Sequence, residues 1–95
     1  MSGARYIPAR ADLRVEPLED LTLVFHRLSG ETHILSPEME MMFSHLPDAG
    51  IHPAGLLRTL ETEYGAVEAE DGDALAVISQ RLEELAALGL VIRAA

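Results

Sequence analysis

The groups that could do chemistry in this 95-residue chain are four histidines, sixteen carboxylates and five serines. It contains no cysteine, tryptophan or lysine, and all seven of its basic residues are arginine. Without cysteine there is no disulfide, no thiolate zinc site and no cysteine nucleophile. His26 and His33 fall on adjacent strand-like segments, where imidazoles on paired strands would have Cβ atoms about 4.5–5.5 Å apart. Two ligands alone make a poor metal site, and no nearby pattern supplies a third. His45 and His52 flank the turn at Pro47–Gly50, and His52 directly precedes Pro53 as a helix cap. There is no His-Glu-x-x-His pair. The run Glu68-Ala69-Glu70-Asp71-Gly72-Asp73 resembles a calcium loop until its positions are tested. With Gly72 sixth, the first, third and twelfth positions are Val67, Ala69 and Ile78, which cannot ligate. It reads as a solvated loop leading into a helix. None of the serines sits in a Gly-x-Ser-x-Gly elbow, no glycine-rich phosphate loop is present, and Glu83-Glu84 are sequence neighbours that do not face each other on a helix. The sequence therefore predicts neither catalytic residues nor a metal or cofactor site, and the chain is not expected to be an enzyme.

The elements that position these groups are short. Leu13-Arg14-Val15-Glu16 alternates apolar and charged residues before Pro17, and Leu21–Leu28 is rich in β-formers. Ser29-Gly30 reads as a two-residue hairpin turn, with Glu31–Leu35 returning. That turn would place Leu28 opposite Glu31, His26 opposite His33 and Phe25 beside Ile34. Leu21, Leu23, Phe25 and Ile34 would then share one face, taken as the core face.

The period changes at Ser36-Pro37, a hydroxyl N-cap followed by proline at the first helical position. Met39, Met42, Phe43 and Leu46 form one apolar stripe, with Met41 off it, and Pro47–Gly50 ends the helix. A second helix starts at Pro53, buries Leu56, Leu57, Leu60 and Tyr64, and is capped by Gly65. A third is capped by Asp73 or Asp71, carries Leu75, Ile78, Leu82, Leu85 and Leu88 at spacings of three and four, and ends at Gly89. Leu90-Val91-Ile92 adds a short terminal strand. Residues 1–11 read as an N-terminal arm and 12–95 as a single domain. Three strands with one apolar face followed by three amphipathic helices predict an α+β, winged-helix-like fold.

Charge narrows the partners. The net charge is −9 at pH 7. Residues 1–47 carry four Arg against seven Asp/Glu, net −3, and residues 48–95 three against nine, net −6. A phosphate-binding surface needs the opposite sign, so a winged-helix nucleic-acid binder is the weaker alternative. No apolar run approaches the ~20 residues that cross a bilayer, and the first residues lack an apolar secretory core. No membrane association is expected, and the expected address is the cytoplasm. If the strands pair sequentially, Glu31–Leu35 is a sheet edge holding neither proline nor lysine. Such an edge suits strand addition by a peptide, or pairing with a second copy of the chain.

The segment Ser29-Gly30-Glu31-Thr32-His33-Ile34-Leu35-Ser36-Pro37 resembles the hairpin and helix start of the PqqD-like family of peptide chaperones. The likeness is to the branch associated with HPr-kinase-related genes, in which Ser-Gly-Glu/Asp-Thr-His-x-Leu recurs. Tyr6-Ile7-Pro8, Leu23-Val24-Phe25 and Leu85–Val91 fit the same branch, so the resemblance spans about residues 6 to 92. It implies a recognition domain for a ribosomally made, post-translationally modified peptide. The leader of the precursor would add as a strand, bonding the main chain of Glu31, Thr32, His33, Ile34 and Leu35. Thr32 and Ile34, with Val77, Ile78 and Arg81 of the third helix, would line the groove. The helix positions follow from geometry rather than from a motif. The implied partners are the precursor leader and a modifying enzyme, here of HPr-kinase-like type. An oligomerisation module pairing sheet edges, as in a homodimer, is the third class.

Overall fold

The computed structural model describes residues 4–65 and 73–94. The elements are β1 (Arg5–Pro8), a 3-10 turn (Arg10–Asp12), β2 (Leu13–Leu18), β3 (Leu21–His26), β4 (Thr32–Leu35), α1 (Pro37–Ser44), α2 (Pro53–Tyr64), α3 (Ala74–Ala87) and β5 (Val91–Ala94). The strands β2, β3 and β4 form an antiparallel sheet in that order, and the three helices follow. This is the α+β, winged-helix-like arrangement expected from the sequence.

Local chemistry marks the starts of α1 and α3 and the ends of α2 and α3. Ser36 accepts a hydrogen bond from the Met39 amide with Pro37 at the first helical position, and Asp73 accepts from the Ala76 amide. These side chains satisfy donors that the first helical turn leaves unpaired. Gly65 and Gly89, at φ +84° and +81°, end α2 and α3. The acidic residues 68–72 lie outside the described segments.

Two strand features differ from the expectation. The hairpin loop has four residues, Arg27–Gly30. The Gly30 amide donates to the His26 carbonyl, and the His26 amide donates to Glu31. Gly30 takes φ +77°, which glycine adopts without steric cost. The longer loop slides the pairing by two residues, so Val24 opposes His33 and Leu23 opposes Ile34. His26 and His33 are not partners.

The core face is also the opposite one. Val24, Leu13 and Leu35 are the buried side chains of this sheet, while Leu21, Phe25 and Ile34 are exposed. A two-residue slide preserves faces, so the register is not the cause. The cause is the link into α1: only Ser36 separates Leu35 from Pro37. The helix therefore folds over the side to which Leu35 points, and Thr22, Val24 and His26 follow Leu35 inward.

The core combines Val24, Leu13 and Leu35 with Met42, Phe43, Leu46, Leu56, Leu60, Ile78, Leu82, Leu85, Leu90 and Val91. Met41 packs partly against it. Tyr64, Leu75 and Leu88, placed on apolar stripes by their spacing, are instead exposed.

Within the N-terminal segment, β1 pairs antiparallel with β5, from Arg5 opposite Ala94 to Pro8 opposite Val91. Ile51 joins β1 on its other side through two main-chain bonds with Tyr6, 2.9 and 3.1 Å. Gly50, at φ +91°, makes this approach possible, because a Cβ there would sit 2.6 Å from Ile7 Cγ1.

Candidate functional site

The site is the outer edge of β4, and its main-chain groups can be placed from the ladder. Residues of an antiparallel strand alternate between bonding one neighbour and the other. The His26 amide bonds Glu31, and the Arg27 amide bonds Asp12, the residue that leads into β2. Counting from these anchors, His33 and Leu35 bond β3, while Thr32 and Ile34 direct their N–H and C=O groups away from it. No strand lies beyond β4 in this sheet among the described residues.

The opposite edge is different. On β2 the outward-directed main-chain positions include Pro17, which has no N–H to offer. An edge strand normally carries such a block, or lysine, against unwanted pairing. β4 has neither.

The side chains expected to form a groove separate into two groups. Thr32 and Ile34 lie on the solvent face of the sheet, and Ile34 is 62% exposed. His33 is half-buried and Leu35 is buried on the helix side. Ile78 is part of the core at 2% exposure and cannot touch a ligand without a rearrangement. Val77 is half-buried. Arg81 bonds Glu84 on its own helix at 3.1 Å and reaches Glu38 of α1 at 4.0 Å. Thr32 and Ile34 therefore do not share a groove with Val77, Ile78 and Arg81. The strand side chains that face the helices are His33 and Leu35.

Glu31, exposed, precedes the strand, and its amide donates to Ser29 Oγ. Its carboxylate lies 3.4 Å from His33 Nε2, a buried nitrogen that lacks an aligned hydrogen-bond partner.

The other histidines hold the fold. His26 Nδ1 accepts from the Ser29 amide at 3.2 Å in the hairpin loop. His45 Nδ1 donates to the Met41 carbonyl, and its ring meets Tyr64 edge-on with centroids 5.5 Å apart. His52 precedes α2 but makes no side-chain cap; its Nδ1 donates to the Ala4 carbonyl at 2.7 Å. Among the described residues, no three histidines or carboxylates converge on one point.

Two features escaped the sequence reading. One is the apolar solvent face built by Leu21, Leu23, Phe25 and Ile34, which counting apolar residues assigned to the core. A shallow depression of about 300 Å³ on it is lined by Arg14, Glu16, Leu23, Phe25 and Thr32. The other is a polar tie on the far side of the fold. The buried Tyr6 hydroxyl donates to Glu83 of α3, which also pairs with Arg93 of β5 at 3.2 Å. Burial pushes the Tyr6 phenol above its usual pKa, and its hydrogen bond to Glu83 adds to the rise. Nothing in a local pattern links residues 77 positions apart. The pairing of Tyr6 with Arg93 in the β1–β5 ladder is what assembles the three groups.

Compared with protein-family models, curated proteins and solved structures, the chain matches none.

Proposed function

We propose that this chain is a non-catalytic peptide-recognition domain of the PqqD-like type. It holds the leader of a precursor peptide as an added strand on β4 and presents it to a modifying enzyme. One observation carries the reading: β4 is an edge strand without proline or lysine, and Thr32 and Ile34 direct two donors and two acceptors outward. Main-chain pairing of this kind gives affinity with little demand on sequence, and neighbouring side chains then supply selectivity. The Ser29–Pro37 motif points to the same strand.

Charge supports a peptide over a nucleic acid. The exposed side of α3 offers Arg81 already paired with Glu84, and Glu83 is engaged by Tyr6 and Arg93. A phosphate backbone would meet carboxylates there. A basic leader would be drawn to a −9 domain, most strongly at low salt.

The test is titration of the isotope-labelled chain with the leader segment of a candidate precursor peptide. Amide shifts at Thr32–Leu35, extending to Val77 and Arg81, are the expected result. Shifts confined to other surfaces contradict the assignment.

A further inference from the structure

The two edges of the β2–β3–β4 sheet differ in what they present on the solvent face. On β2 the side chains there include Arg14 and Glu16, which pair with each other at 3.1 Å. On β4 they are Thr32 and Ile34, both uncharged. Between them β3 places Leu23 and Phe25. Two rows therefore cross the sheet from a charged edge to an uncharged one: Glu16, Leu23, Ile34, and Arg14, Phe25, Thr32. Each row stops at β4 on a side chain with a neighbour on one side only. For Ile34 this leaves 62% of the residue in water.

Resting on the strand-addition reading above, we infer that the peptide is selected by a large apolar residue beside Ile34 on this outward face, and by basic residues flanking the added stretch. Residues directly opposite on paired strands share a face in parallel and antiparallel ladders alike. The peptide residue paired with Ile34 thus extends the row from Leu23, whichever way the peptide runs. A β-branched or aromatic side chain there covers Ile34, whereas a charged one would lose hydration against it.

The flanking preference follows from charge. Exposed Glu31, just before β4, and Glu38, in the first turn of the helix that follows it, have side chains 66% and 65% exposed. Arg81 lies near Glu38 but is shared with Glu84, so this end stays net acidic. Arginine or lysine on either side of the apolar residue complements both ends, and an acidic peptide is repelled from both. The apolar selection at Ile34 is separate from any contact made toward α3.

The experiment is a display library of random ten-residue peptides selected on the immobilised full chain at low salt. The expected binders carry a large apolar residue at one fixed position with basic residues around it, and shift the Thr32 and Ile34 amides. Because Ile34 is exposed, Ile34→Asp and Ile34→Thr leave the fold intact, checked by thermal melting. Against the selected peptide, Ile34→Asp weakens binding about tenfold and Ile34→Thr about threefold. Ile34→Lys recovers affinity for a peptide bearing glutamate at the paired position. Binders that shift β4 amides yet keep their affinity within about twofold for Ile34→Asp, less than one apolar pair is worth, overturn this inference and leave strand addition standing. Binders that map elsewhere, or a selection yielding no binder, overturn the strand-addition reading and this inference with it.

Discussion

Ile34 stands opposite Leu23 in the β3–β4 ladder, and both side chains lie on the face of the sheet turned away from the helices. The chain thus puts apolar surface on both sides of a three-stranded sheet. One side is closed by α1, α2 and α3. The other ends at an edge that can accept another strand.

The two faces predict opposite responses to substitution. Val24 is fully buried and Phe25, its neighbour, is 39% exposed. Val24→Ala should lower stability by about 2 kcal/mol, and Phe25→Thr by less than about 1 kcal/mol, in urea unfolding. If Phe25→Thr proves the costlier, the face assignment is wrong.

That assignment marks the boundary of what the sequence reveals. Helix starts and stops are legible because each is a local matter: Ser36-Pro37, Asp73, Gly65 and Gly89 act within one turn of themselves. β2, β3 and β4 and their order are legible for the same reason, whereas β1 lies in the segment read as an N-terminal arm. The buried face is not, because the outward positions of β3 hold Leu21, Leu23 and Phe25 while the inward ones hold Thr22, Val24 and His26. Counting favours the wrong side, and the one-residue link from Leu35 into α1 overrides it. At the site, the edge strand itself is legible, but the sequence places Thr32 and Ile34 toward the helices, whereas they face solvent. The pairing of β1 with β5 was hidden too, since Arg5 and Ala94 meet only when the whole chain has folded.

The approach of Ile51 to Tyr6 depends on Gly50. Gly50→Ala places a Cβ within 2.6 Å of Ile7 Cγ1 at a φ of +91°. A loss of about 1–3 kcal/mol is expected, together with faster exchange of the Tyr6 and Ile51 amides. Gly30→Ala makes a useful comparison, because a Cβ there meets nothing within 4 Å and only the backbone strain at φ +77° remains.

Ser36 joins the site to the helices. Ser36→Ala removes the cap accepted from Met39 and should cost about 1 kcal/mol by denaturant titration, with fraying confined to the first turn of α1. Ser36→Asp should keep the cap and restore most of the loss.

Tyr6 gives the fold a limit at high pH. Its folded-state pKa is raised above 10.0, chiefly by burial. A group with a raised pKa contributes stability that is complete below its unfolded value and lost as pH rises through its folded value. Stability should therefore fall above about pH 10, as ionisation of the buried phenol is resisted less by the unfolded chain than by the folded one. Tyr6→Phe should flatten this alkaline decline while costing about 1 kcal/mol at neutral pH, where Glu83 loses its donor but keeps Arg93. An unchanged alkaline slope in Tyr6→Phe would assign the decline to other groups.

Amide hydrogen exchange along β4 tests the central claim most directly. In the free chain, His33 and Leu35 should be protected by their bonds to β3, while Thr32 and Ile34 exchange quickly at an open edge. With a saturating leader peptide, Thr32 and Ile34 should become protected as well. Protection of Thr32 and Ile34 in the free chain, or fast exchange that persists under saturating peptide, would contradict strand addition at β4.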